Sequence, residues 1–161
     1  MMELVIRKIA QQDNEQIARL IRSILSDMGV PKVGTAYEDK ALDNMFDEYA
    51  KARSSYFVAV KNDEVLGCAG IAPLKNAKET ICELQKMYVA QKARGQGVAQ
   101  ILMDACVRAA KGFGFESCYL ETMPDMKAAH RLYEKFGFQF IENRLGDTGH
   151  HSCPVFMIKY L

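Results

Sequence analysis

The chain has no tryptophan, only four prolines in 161 residues, and no apolar run near the roughly 18 residues that span a bilayer. Charge of either sign is hardly in excess: 21 Lys and Arg stand against 20 Asp and Glu. That balance argues against a partner held mainly by electrostatics, such as bulk nucleic acid or an anionic membrane. The start, Met1 to Arg7, lacks the basic opening and long apolar stretch of a signal peptide. The five cysteines are odd in number and not closely paired, which suits free thiols in a reducing cytoplasm. Internal repeats and low-complexity tracts are missing too. What is present is ordinary for a globular chain, 49% apolar and 25% charged. The length suits a single domain over 1–161 that buries about 70% of its unfolded-chain surface.

Strand-like and helix-like patterns alternate without a linker. Leu4 to Ala10 reads as a strand. Asp13, with Gln16 three residues on, reads as a capping box opening a helix whose inner face is Ile17, Leu20, Ile21, Ile24, Leu25 and Met28, ended by Gly29 and Pro31. Val30 to Thr35 reads as a loop, followed by a second helix with Leu42, Met45, Phe46 and Tyr49 inward. Tyr56–Lys61 and Val65–Leu74 predict a hairpin turning at Asn62-Asp63-Glu64. Thr80 to Val89 is a fourth strand. Val98, Ile101, Leu102, Ala105, Cys106 and Ala109 then mark one face of a helix running to about Lys111. Ser117 to Met123 is a fifth strand. Pro124-Asp125 opens a last helix with Ala129, Leu132, Tyr133 and Phe136 on one face, stopped by Gly137. Phe138–Glu142 and Val155–Leu161 complete a mixed α/β (α+β) chain around one central sheet.

Arg94-Gly95-Gln96-Gly97-Val98-Ala99 lies between the fourth strand and its helix. A glycine turn that opens a helix leaves backbone N–H groups unpaired, and the helix dipole and Arg94 add positive charge. This is an anion site suited to phosphate or pyrophosphate. The Gly-x-x-x-x-Gly-Lys-Ser/Thr loop of nucleotide hydrolases is absent, as is the third glycine of a dinucleotide fingerprint.

Three ordered segments carry a resemblance. Arg94-x-x-Gly97-x-Ala99 resembles the pyrophosphate motif of the GCN5-related N-acetyltransferases (GNAT). Glu83 to Val89 is similar to that family's fourth strand, and Ala129-His130-Arg131-Leu132-Tyr133-Glu134-Lys135-Phe136-Gly137-Phe138 to its "A-x-x-LYEK-x-GF" segment. The resemblance covers nearly the whole chain. It implies the GNAT fold, a mostly antiparallel twisted sheet of about seven strands flanked by four helices and splayed between strands four and five. It also implies transfer of an acetyl group from acetyl-CoA to a primary amine, of a small molecule or of a protein. A non-catalytic acyl-CoA-binding module of the same fold is the alternative.

By that resemblance the backbones of Met87, Tyr88 and Val89 hold the pantetheine arm at a strand bulge, one N–H polarising the thioester oxygen. Arg94, Gly95, Gln96, Gly97, Val98 and Ala99 hold the pyrophosphate. Tyr133 is the general acid for the departing thiolate, or else packs on its helix face. Glu83 is the candidate base, with Glu121 or solvent as rivals; strict alternation puts Glu83 on the same side as Gln85 and Met87. Many relatives carry Asn where this chain has Met126, a coenzyme-contacting position that here lacks the amide; Asp125 is the alternative helix cap. In the loop 146–154, His150 and His151 are candidates for acceptor recognition, and no metal site is expected from two adjacent histidines and Cys153. The resemblance also admits a homodimer.

Overall fold

The computed structural model describes residues 3–29, 31–33 and 36–161, so half of the loop expected over 30–35 lies outside the described residues. In chain order the elements are β1 (Val5–Lys8), α1 (Asn14–Asp27), α2 (Met45–Glu48), β2 (Ser55–Lys61), β3 (Glu64–Pro73), β4 (Ile81–Val89), α3 (Val98–Gly112), β5 (Ser117–Thr122), α4 (Lys127–Lys135), β6 (Gln139–Ile141) and β7 (Val155–Tyr160). The seven strands form one sheet in the order β1-β2-β3-β4-β5-β7-β6. All neighbours are antiparallel except β4 and β5, which run parallel.

The sheet is buried on both faces by apolar layers that alternate residue by residue. Val58 and Cys68 join Ile17, Ile21 and Leu25 of α1, while Ala59 and Ala69 join Leu102, Met103 and Cys106 of α3. The β2–β3 turn has Asn62 at φ 53° and Asp63 at φ 62°, a left-handed pair whose twist suits a two-residue hairpin.

Gln16 does not close a capping box. Its carboxamide accepts the Val65 N–H at 3.0 Å and donates to the Asp63 carbonyl at 3.1 Å, clamping α1 onto the hairpin. Asp13 instead receives both arms of the Arg7 guanidinium, at 2.8 and 3.0 Å, and the Ala10 N–H at 2.7 Å. For a carboxylate only 2% exposed, a bidentate guanidinium outweighs a single backbone cap. The expected second helix shrinks to the one turn of α2 after 3₁₀ turns at Ala36–Glu38 and Lys40–Asn44; Leu42, Met45 and Tyr49 still point inward, and Phe46 is half-buried.

The buried face of α3 is Val98, Leu102, Met103, Ala105, Cys106 and Ala110, with Ile101 44% exposed. This is a rotation away from the expected face. Gly67 of β3 explains it, since a Cβ there would lie 3.1 Å from both Val98 and Leu102. The helix is seated on that missing side chain, which turns Ile101 outward.

Candidate active site

β4 and β5 share three rungs, Ile81↔Ser117, Cys82↔Cys118 and Glu83↔Tyr119, and then part. Beyond the fork the outer edge of β4 has no strand partner among the described residues. On its other edge β4 is bulged: Cys68 faces Tyr88 and Gly70 faces Gln85, so Ala69 alone stands opposite Lys86 and Met87. Lys86 takes φ 48°, rare for a side chain with a Cβ. Its carbonyl receives the Tyr56 hydroxyl at 2.6 Å. The Tyr56 ring in turn lies where a Cβ on Gly70 would fall 2.2 Å from it.

The bulge overturns the expected parity of the strand. Cys82 and Leu84 belong to the layer under α3, as do Met87 and Val89, whereas Glu83, Gln85 and Tyr88 face the α1 side. Strict alternation groups Met87 with Glu83; the extra residue separates them. Glu83 and the Met87 and Val89 side chains thus occupy opposite faces of one strand.

On the α1 side a cavity of about 70 Å³ is lined by Glu83, Gln85, Lys86, Glu121, His150 and Cys153, among others, and reaches Tyr133. Glu83 is 5% exposed. Burial pushes its carboxyl up to about 7, against the Gln85 hydrogen bond and the charges of His150 and Lys86, which pull it down. Gln85 donates to Glu83 at 2.6 Å and accepts from the Tyr49 hydroxyl, so the carboxylate is held by a chain of side chains. Glu121, the rival base, is already engaged. It pairs with Arg144 at 3.3 Å and accepts the Tyr119 and Thr148 hydroxyls at 2.6 and 2.5 Å. His150 sits 2.8 Å from Asp39, which also faces Lys86 at 3.4 Å, while His151 is exposed. Burial works against the charge on Asp39, but the His150 hydrogen bond and the Lys86 charge outweigh it and hold its carboxyl low. Burial also raises the Cys153 thiol to about 11, which keeps it protonated and a poor nucleophile.

Beside this cavity a groove of about 320 Å³ runs from Ile24 and Met28 of α1 past Met87, Val89, Arg94, Ala99, Met126 and Leu132 to Tyr133. Gly95 and Gly97 take φ 78° and 79°, and a Cβ on either would meet nothing within 4 Å. The left-handed turn, rather than crowding, is what requires glycine there. Gly97 caps α3 without a side-chain hydrogen bond, so the first-turn N–H groups face outward beside the exposed Arg94 and Gln96. The Val98 side chain is core, leaving only its backbone to a ligand. Arg94 Nε donates to the Val89 carbonyl at 3.3 Å, tying the turn to the end of β4. An unpaired strand edge, an open helix start and a cation along one groove fit an extended amide-bearing arm that ends in pyrophosphate.

Tyr133 stands where the two spaces meet; Met87, Tyr88 and Met126 line both as well. Its ring packs edge-on to Phe138 at 5.9 Å, and burial raises the hydroxyl to about 12. Met126 accepts the Thr122 hydroxyl at its sulfur, 3.4 Å away. The expected helix start at Pro124-Asp125 is corrected: the chain makes a turn there, closed by Met126 N–H to the Met123 carbonyl, and α4 begins at Lys127 with no side-chain cap. Ala129 and Leu132 are half-buried because they line the groove, and His130 takes the buried place between them.

The model of the acetyltransferase (GNAT) family matches residues 17–138. The chain belongs to this family. A GNAT relative in Escherichia coli (strain K12), the uncharacterised N-acetyltransferase YjgM, is 40% identical over 158 residues, 98% of this chain and 95% of that one. Among solved structures, a GNAT acetyltransferase of Staphylococcus aureus Mu50 superposes with TM-score 0.84 at 20% identity, over 99% of both chains. The PaiA N-acetyltransferase of Thermoplasma acidophilum, solved with coenzyme A, gives 0.77 at 16% identity over 99% of this chain and 100% of that one. The chain is an acetyl-CoA-dependent N-acetyltransferase with the GNAT sheet, splayed where β4 and β5 part.

Several residues of this site have no mark in the sequence. Gln85 was visible in principle, two residues from Glu83 on the same face. Lys86 depends on the bulge, and Asp39, Tyr49, Arg144 and Thr148 meet the cavity-lining Lys86, Gln85 and Glu121 only through tertiary packing.

Proposed function

We propose that the chain acetylates a small primary amine, with Glu83 as base and Tyr133 as acid on opposite sides of the β4–β5 fork. The observation that carries this is that both residues line the cavity at the fork, one as a carboxyl poised near 7 and the other as a protonated hydroxyl. Bound acetyl-CoA supplies an activated acyl carbon on a thiol leaving group. Gly95, Gly97, Val98 and Ala99 offer backbone N–H groups, and Arg94 a cation, to its pyrophosphate. The Met87–Val89 edge hydrogen-bonds the arm as a further strand would, with one N–H placed for the thioester oxygen. Glu83 takes one proton from the incoming ammonium, freeing the lone pair that attacks the acyl carbon. The nitrogen of the adduct sheds its second proton to solvent, and as the carbon–sulfur bond breaks Tyr133 gives its proton to the sulfur and regains one from solvent. Glu121 positions the 144–153 segment through Arg144 and Thr148.

A module that merely binds acyl-CoA has no use for a carboxyl held near neutrality beside the acyl end. The setting is the cytoplasm, where the cysteines stay reduced. The test is release of CoA thiol from acetyl-CoA over a panel of amines, beside a direct measurement of CoA binding. Binding without turnover on any amine defeats the proposal.

A further inference from the structure

The wall of the acceptor cavity pairs its charges in an uneven way. Glu121 is neutralised by Arg144 at 3.3 Å and takes two hydroxyl donors besides. Asp39 meets two nitrogen-bearing side chains on the same oxygen, Oδ2: His150 Nε2 at 2.8 Å and Lys86 Nζ at 3.4 Å. Among the described residues on this wall, Glu83 is the carboxylate with no ion-pair partner. The cavity therefore has one seat for an ammonium, at Glu83, and a second charged position, at Lys86, that keeps N–H donors to spare. An ammonium brings three donors, and a single carboxylate oxygen does not exhaust them.

Lys86 is also expensive to keep where it is. Its backbone is left-handed without being glycine, at φ 48°, and its side chain is 8% exposed, although lysine is almost always solvated. Residues held in such states cluster where function needs them. The Tyr56 hydroxyl fixes the Lys86 carbonyl at 2.6 Å, so the outlier is built in from below. His150 is brought to the same wall by a loop pinned through Thr148 to Glu121 and by the Arg144 hydrogen bond to the Cys153 carbonyl at 2.9 Å.

We propose that Lys86 and His150 form a carboxylate-binding subsite and that the acceptor is a small amino-carboxylate of the amino-acid class. Its amine sits at Glu83 and its carboxylate between Lys86 and His150, with Asp39 behind them as the counter-ion that orients both donors. A diamine or polyamine would need a second uncommitted carboxylate, and the end of a protein lysine brings no carboxylate to the cationic position. This inference rests on the transferase reading above.

The test uses the full chain, acetyl-CoA and a panel of α-amino acids, each beside its own carboxamide and the amine lacking the carboxyl group. Diamines and a C-terminally capped lysine peptide complete the panel, and the readout is thiol release as kcat/KM. The expected result is a preference for the acid over its carboxamide of about 10- to 100-fold, the scale of one charge-assisted hydrogen-bonded pair. Lys86→Gln should shrink that ratio to within about 3-fold, and Lys86→Arg should preserve most of it. Equal or better turnover of the carboxamides, diamines or peptide overturns the subsite, whatever the variants do. If calorimetry shows CoA bound yet no amine releases thiol, the transferase reading itself fails and the subsite falls with it.

Discussion

The Tyr56 hydroxyl donates to the Lys86 carbonyl across 2.6 Å and so props the one residue that β4 has in excess. Tyr56→Phe would strip a buried carbonyl of its partner, at a cost of about 1–3 kcal/mol. For a chain of this length that is a Tm loss of roughly 2–10 °C in thermal unfolding. Because Lys86 lies three residues from Glu83, kcat/KM should fall as well; a variant with unchanged Tm would show that the prop is idle.

Gly70 makes the room in which Tyr56 lies. Gly70→Ala places a Cβ 2.2 Å from the Tyr56 ring and 2.7 Å from the Ser55 carbonyl. The ring has no space to retreat, being 1% exposed. Overpacking of this kind costs about 3 kcal/mol, and denaturant unfolding should show a lower midpoint with the slope preserved.

Glu83 is raised to about 7 by burial, so its base form is lost as pH falls through neutrality. The pH profile of kcat/KM should descend with unit slope below about 7 and be level above it. Glu83→Gln should reduce kcat about 10²- to 10⁴-fold and erase that limb. Stability moves the other way. A carboxyl whose folded pKa is raised stabilises the fold at low pH, and that contribution is lost as pH rises through about 7. Glu83→Gln should therefore match or exceed the parent Tm at pH 8, with the difference closing toward pH 5.

Tyr133 is buried against Phe138, and its hydroxyl, raised to about 12, stays protonated throughout the working range. Tyr133→Phe keeps the ring and removes the proton donor. Turnover should drop roughly 10²-fold while CoA affinity by calorimetry stays within about twofold. Unaffected turnover would reassign the residue to packing alone.

Arg94 is exposed and spans from the glycine turn to the Val89 carbonyl. Arg94→Ala should raise KM for acetyl-CoA about 10-fold with little change in kcat. The salt dependence of KM should flatten in the variant, since screening then has less charge to act on.

The coenzyme side was legible in the sequence because its signals are local. Gly95 and Gly97 must be glycine for their own backbone angles, and Tyr133 sits in a contiguous segment. The mostly antiparallel sheet and the parting at β4 and β5 came with the family resemblance, without the order of the strands. The acceptor side was not legible, for a physical reason. It joins Lys86, Glu121 and His150 on the wall with Asp39 behind them, from four separated stretches, and ion pairs across such distances leave no periodicity. At β4 itself the error, the face assigned to Met87, came from treating the strand as uniform.

That extra residue has a hereditary meaning. Losing the single codon for Lys86 would return Ala69 to face Met87 alone, with Glu83, Gln85 and Tyr88 still on one side and Leu84, Met87 and Val89 still on the other. The sheet would gain an unbroken ladder and forfeit nothing of its pattern. The ladder has no need of the residue, so its presence marks β4 as a strand left imperfect by the chemistry at its edge.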